Sequence, residues 1–337
     1  MTRDSRPRGS TRRPALGALG AVVIAICLLP LVGCASAQRA DTPQSPLGRA
    51  LAPIVITSPP TERQAAMLRD LDEARRHREA HPDDLDAILW HGRRLGYLWR
   101  MEEAVAAFSD AAAKHPNRAE PLRHRGHRLI SLRRFDAAVR DLRRATELIA
   151  GHPDAIEPDG QPNARNQPRS TLHFNVWYHL ALAEYLRGRW AESAAAWQTA
   201  WTHSHNDDSR VAVAHWYYLT LARSGRTSEA QQLLARIQPG MDVIENHAYR
   251  DRLELFAGRR SLEDALRAAS ESEGIEHWGL AIGMTYLLCD EPDRAGTWFE
   301  RIVAGDSWPS FGFIAAEAEL VRRAANEPHA PKRLSGG

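Results

Sequence analysis

The sequence predicts an all-α array of antiparallel helical hairpins, an α-solenoid of about five to six repeats closed by a capping helix at each end. Three observations predict it. Residues 85–150 carry one pattern twice, a 34-residue step apart: Pro82 recurs as Pro116, Gly92 as Gly126, Leu95 as Leu129, Ala104 as Ala138, Phe108 as Leu142 and Ala111 as Ala145. A repeat of that length is one supersecondary unit, which buries its apolar face only against further copies. Each copy holds two helical apolar patterns split by a short turn, Trp99-Arg100-Met101-Glu102 in the first and Arg133-Arg134-Phe135-Asp136 in the second. Residue size alternates to match. Gly92 with Ala104, and Gly126 with Ala138, allow the two helices of a hairpin to approach, and Phe108 and Leu142 are expected to fill the gap to the next hairpin.

In spacing and residue size the pattern resembles the tetratricopeptide repeat, over roughly residues 85–303. The departure from the family is polar: His91 and Arg125 precede the glycine, where the family prefers an aliphatic side chain. The resemblance implies a solenoid whose first helices line a concave face that binds a peptide or protein. Bacterial lipoproteins carrying such repeats serve as scaffolds for envelope complexes, which the resemblance extends to this chain as an expectation.

The chain opens with a segment that does not belong to the fold. Arg3, Arg6, Arg8, Arg12 and Arg13 form a basic start, residues 15–32 are an apolar run, and Leu31-Val32-Gly33-Cys34 follows. That tetrapeptide resembles the lipobox of bacterial lipoproteins. The implied processing removes residues 1–33 as a signal peptide and leaves Cys34 acylated, which places the protein in the bacterial cell envelope, anchored to the outer membrane and facing the periplasm. The competing reading is an uncleaved anchor near the lower length limit for spanning. Without the leader, 44 cations and 42 carboxylates become 39 and 41, a net charge of −2. Such a balance gives no basic excess for a nucleic-acid partner. Of the three cysteines, Cys27 leaves with the leader, Cys34 takes the lipid, and Cys289, in an apolar run, reads as core.

Residues 34–60 read as a flexible tether, with Pro43, Pro46, Pro53, Pro59 and Pro60 precluding a helix and little surface to bury. Residues 61–84 form an N-terminal helix that caps the array, and 85–150 are repeats one and two. Residues 151–171 form a long Pro- and Asn-rich loop, whose Asn and Asp side chains can hold defined turns. Repeats three to six occupy 172–308. Residues 309–325 form a capping helix whose Glu317, Glu319, Arg322 and Arg323 suit a solvated face, and 326–337 is a tail.

The functional residues are sought on the groove side of the first helices. Arg93, Tyr97, Arg123, His127, Asn175, Tyr178, His215 and Arg250 form a hydrogen-bonding, aromatic stripe suited to an extended peptide, with Ser131 on the same exposed face. The partner expected there is an envelope protein or peptide. A second reading is a carbohydrate-binding or hydrolytic envelope protein using Trp177, Tyr178, His179 and the 151–170 loop. His203, His205 and Asp207, followed by Asp208, have the residue types of a metal site, but Asn206 or Asp207 is also a natural N-cap for the next helix. The remaining tryptophans, Trp190, Trp197, Trp201 and Trp216, read as interlocking core. With no H-E-x-x-H, no G-x-S-x-G and no phosphate loop, the sequence points to neither an enzyme nor a cofactor.

Overall fold

The computed structural model describes residues 42–271 and 274–326. The leader 1–33, Cys34 and the residues after Asn326 lie outside the described residues. An N-terminal helix, α1 (Glu62–Ala80), leads into six hairpins: α2 (Leu85–Tyr97) with α3 (Met101–Lys114), α4 (Glu120–Ser131) with α5 (Phe135–Ile149), and α6 (Leu172–Leu186) with α7 (Trp190–Thr202). The next three pair α8 (Asp207–Arg223) with α9 (Thr227–Leu234), α10 (His247–Phe256) with α11 (Leu262–Glu271), and α12 (Gly274–Leu288) with α13 (Pro292–Val303); α14 (Phe311–Asn326) ends the array. This is a tetratricopeptide-type α-solenoid. Among the described residues no helix is long and apolar enough to cross a membrane.

Local chemistry starts the helices. Thr61 and Gln64 form a reciprocal capping box ahead of α1, Asp84 accepts from the Ala87 N–H at α2, and Thr171 accepts from the Phe174 N–H at α6. The hairpin turns share one backbone solution. A left-handed residue stands at Trp99, Arg133, Gly188, Gly225, Gly258 and Asp290, with φ between 59 and 72°. Glycine adopts this conformation freely; the other three residues strain to do so.

Inside the hairpins, the glycines receive the bulky side chains of their own second helix. A Cβ on Gly92 would lie 2.6 Å from Phe108, one on Gly126 2.7 Å from Leu142, and one on Gly283 2.5 Å from Phe299. Phe108 and Leu142 therefore also press inward on the glycine of their own hairpin, a contact that the sequence reading did not include; Phe108 meets the next hairpin as expected, its ring stacking on His124 at 5.3 Å. The polar departures at His91 and Arg125 are satisfied by ions. Arg78 bonds the His91 ring at 2.9 Å, and Arg125 pairs with Asp141 at 2.6 Å. The middle tryptophans are core as expected, Trp197 and Trp216 being fully buried.

Three further expectations are corrected, two of them by long-range packing. The tether is not free over residues 42–58: Leu51 is 3% exposed, Arg49 donates to the Val303 carbonyl and to Asp306 at 3.0 Å each, and Ile54 N–H donates to the Leu98 carbonyl at 3.1 Å. This arm thus links the first hairpin to the last, because its backbone groups and Leu51 find partners across the array. The charges of α14 are not all solvated either. Arg133 and Glu317 form a buried pair at 2.7 Å, and Glu319 meets Arg322 at 2.7 Å and Arg223 at 3.2 Å. Arg322 also donates to the Leu186 carbonyl, so α14 is clamped to the turns of the second, third and fourth hairpins. Cys289, finally, is exposed and not core, because it falls at the end of α12 just before the left-handed Asp290.

Candidate functional site

The first helices of the hairpins do face a concave side, but that side is largely filled by the chain itself. The 151–171 loop lies along α2, α4 and α6. Its own turns are held by Asx contacts, with Asp159 Oδ1 accepting from Gln161 N–H at 3.0 Å and Asn163 Oδ1 from Arg165 N–H at 3.1 Å. From the array, Arg93 donates to the Pro158 carbonyl at 2.8 Å and Arg94 to the Gly160 carbonyl at 3.0 Å. Glu157 receives Arg123 at 2.6 Å and the Asn175 amide, and Asn175 also bonds Ser170 at 3.0 Å. Gly160 is required here: a Cβ would fall 2.0 Å from the Tyr97 hydroxyl.

A second plug comes from α14. Phe311 enters among His127, Tyr178 and His179, with ring centroids 5.3, 6.3 and 5.8 Å away. Tyr178 meets the Tyr249 hydroxyl at 3.2 Å, and Trp216 Nε1 donates to the same oxygen at 3.3 Å. The predicted stripe therefore divides. Arg93, Tyr97, Arg123 and Asn175 gather around the loop, and His127 and Tyr178 around Phe311. His215 is core, stacked on Phe256 at 5.8 Å, and Arg250 stands apart, paired with Asp251 at 2.9 Å. The expectation of open groove positions is corrected for Arg123, Asn175, Tyr178, His215 and Ser131, all buried. The helix pattern shows which face a side chain is on, but not what distant segment later covers it. Trp177 packs against the core, Tyr178 and His179 are buried, and His179 Nδ1 is bonded to the Asn175 carbonyl at 2.6 Å, so these three offer no platform to a sugar.

The covered face is rich in basic groups. Burial holds the imidazoles of His124, His127 and His179 well below their ordinary pKa, with Arg123 and Arg128 pushing in the same direction. Burial also lowers Arg128 to about 10. Among the described residues Arg128 has no hydrogen-bond or ion-pair partner, although it is only 8% exposed. It borders one open part of the concave side, a cavity of about 440 Å³ lined also by Ile54, Arg63, Gln64, Tyr97 and Gln161. Gly96 makes room for the guanidinium, since a Cβ there would lie 2.6 Å from Arg128 Nε. Sequence reasoning missed Arg128, Arg94, His124 and Glu157. The usable signal was charge: Glu157 is the one glutamate of a loop that follows a first helix carrying Arg123, Arg125 and Arg128.

The 203–208 turn separates the residues that looked like a cluster. Asn206 is the N-cap of α8, and Asp207 accepts from the Asp242 N–H at 2.8 Å. The Asp208 carboxylate accepts from the N–H groups of Ile244, Glu245 and Asn246 and pairs with Arg169 at 3.0 Å. Burial works to raise its pKa, and these donors outweigh that and hold it below the usual value. His205 is exposed, and only His203 faces other donor groups, Asp154 and His173.

No protein-family model matches the chain, and no curated protein matches it. Similar solved structures include YrrB, a TPR protein with an unusual peptide-binding site, at 13% identity and a TM-score of 0.38, covering 75% of this chain and 97% of that one. Another is a chain of the APC/C hetero-tetramer Cut9–Hcn1, at 13% identity and a TM-score of 0.45, covering 76% of this chain and 46% of that one. What those proteins bind does not transfer to this chain at such values, and its function is argued from its own geometry.

Proposed function

We propose that the protein is an interaction scaffold, held at a bacterial envelope membrane by a lipid on Cys34, that takes an extended acidic segment of an envelope protein partner at the open end of its concave face. The observation that carries this reading is Arg128, a buried guanidinium without an anionic partner at the wall of an open cavity. A buried cation left unpaired costs several kcal/mol, and an incoming carboxylate offsets that cost with charge-assisted bonds. The face already holds extended chain by the same chemistry. Arg93 and Arg94 grip the backbone carbonyls of Pro158 and Gly160, and Arg123 grips the Glu157 carboxylate. The carbohydrate-binding or hydrolytic reading has no comparable support, because Tyr178 and His179 are buried and Trp177 packs against the core.

The test is photo-crosslinking in intact cells, with the crosslinker at Gln161 on the open cavity or at Arg140 on the outer face. The reading expects one identified protein captured from position 161 and not from 140. Arg128→Met should reduce that capture roughly 10-fold or more, about 1.4 kcal/mol, at a melting temperature no lower than the parent's, since it removes an unpaired buried charge. Capture from position 140 alone would reject the site. Cys34→Ser should move the protein from the membrane to the soluble envelope fraction, and a variant that stays with the membrane rejects the anchor.

A further inference from the structure

At the base of the long loop, away from the Arg128 cavity, three side chains from separate segments converge. Asp154 belongs to the loop, His173 is the second residue of α6, and His203 is the C-cap of α7. Each offers one ligand atom, and the three atoms lie within 4.8 Å of one another. Asp154 Oδ2 stands 3.8 Å from His203 Nδ1, and the His173 and His203 rings meet edge to face at 5.2 Å. His173 is 8% exposed, and its Nε2 is buried without a hydrogen-bond partner. A buried ring nitrogen of this kind is costly unless something occupies its lone pair or its proton.

We propose that Asp154, His173 and His203 bind a divalent transition-metal ion of the zinc type, which ties the base of the 151–171 loop to the third hairpin. Two imidazole nitrogens and one carboxylate oxygen are a zinc donor set, with a fourth position for water or a further ligand. Tetrahedral coordination at about 2.0–2.1 Å brings ligand atoms to roughly 3.3 Å apart. Asp154 and His203, at 3.8 Å, must therefore close by about half an ångström, and no pair by more than about 1.5 Å, to which rotation of the half-exposed His203 at a helix end contributes.

The carboxylate is held for this role. Asp154 Oδ1 accepts from the N–H groups of His173 at 3.0 Å and Ala155 at 2.9 Å, and Oδ2 accepts from the Thr171 hydroxyl at 2.7 Å. Such outer contacts orient a ligand before the metal arrives. His205 stands close by, its ring 6.5 Å from that of His203, on the solvent side.

The test uses the mature chain without an affinity tag, titrated with Zn²⁺ and with Co²⁺ as a spectroscopic substitute. The expected result is one equivalent bound with a Kd of about 10 μM or tighter, a rise in melting temperature, and a visible Co²⁺ spectrum that Zn²⁺ displaces. His203→Gln and Asp154→Asn should each weaken binding at least ~10-fold, a loss set by removing a ligand and not by unfolding, since the metal-free melts should match the parent. His173→Gln should do the same; if it does not fold, the half-exposed His203 decides alone. His77 and His81, exposed with rings 4.5 Å apart, form the competing surface site. Absence of binding at 100 μM Zn²⁺, binding unchanged in His203→Gln and Asp154→Asn, or binding abolished only by His81→Gln would each overturn the proposal.

Discussion

Gly126 and Leu142, inside the second hairpin, are buried by a fit of shapes within one repeat unit, whereas Arg133 and Glu317, at the turn of that hairpin, are buried by a charge pair 184 residues apart. The first contact needs nothing beyond its own unit. The second exists only if α14 has returned to the second hairpin. The interior of the hairpins is thus local and apolar, and the concave side is long-range and ionic. The difference suggests that the two sides fail differently: the interior through volume, the concave side through unpaired charge and through pH.

The largest effects should come from forcing each region against its own rule. Glu317→Ala leaves the Arg133 guanidinium, whose side chain is 4% exposed, without its carboxylate. The expected loss is about 3–5 kcal/mol in denaturant unfolding, and a second change, Arg133→Met, should recover much of it. Ala138→Arg, at a fully buried position between α4 and α5, should cost about 3 kcal/mol or more, with no charge change elsewhere able to rescue it. Ser131→Arg should also destabilise, since Ser131 is 1% exposed. If the Arg133→Met change rescued nothing, the concave side would be held by shape after all.

A second contrast separates the regions by pH. Burial depresses His124, His127, His179 and His215 in the folded chain, while the unfolded chain titrates near 6.5. Between the folded values and 6.5 the unfolded state holds more protons, so stability rises with pH through that window and levels off above it. Each such histidine contributes a slope of up to about 1.4 kcal/mol per pH unit. Urea midpoints measured from pH 7 down to 5.5 should therefore fall. Hydrogen exchange should rise first in the 151–171 loop and α14, and later between α4 and α5. A flat midpoint would contradict the buried neutral imidazoles.

The smallest effect concerns the turns. Asp290→Gly removes left-handed strain at an exposed site with φ 60°, and should stabilise by about 0.5–1 kcal/mol in a thermal melt. The same substitution at Arg133 should destabilise, because there the side chain forms the buried pair with Glu317. Equal gains at both turns would mean that the concave ion pair contributes nothing.

How much of this was legible follows the same division. The period, the small residues at Gly92, Gly126, Ala104 and Ala138 and the cap at Asn206 involve near neighbours in sequence, so spacing and residue size suffice to find them, whereas the placing of Phe108 on Gly92 and of Leu142 on Gly126 was not foreseen. The Asx turns of the loop were legible for the same reason. The site was legible only as a face: Arg93, Tyr97, Arg123 and Asn175 do stand together, but around Glu157 and Gly160, and not around solvent.

By itself, then, the sequence determined the repeat: its period, its two helices, its small-to-large packing and the faces of its side chains. These follow from i, i+3 and i, i+4 neighbours on helices, which a chain carries wherever it goes. Only the tertiary structure decided what lies on the concave face. The arm at Leu51, Glu157 of the loop and Phe311 of α14 arrive from three distant stretches, and no local pattern encodes such an arrival. Burial of a charge depends on what covers it, which is why nothing in the sequence singles out Arg128, an unpartnered guanidinium in the fold among the described residues.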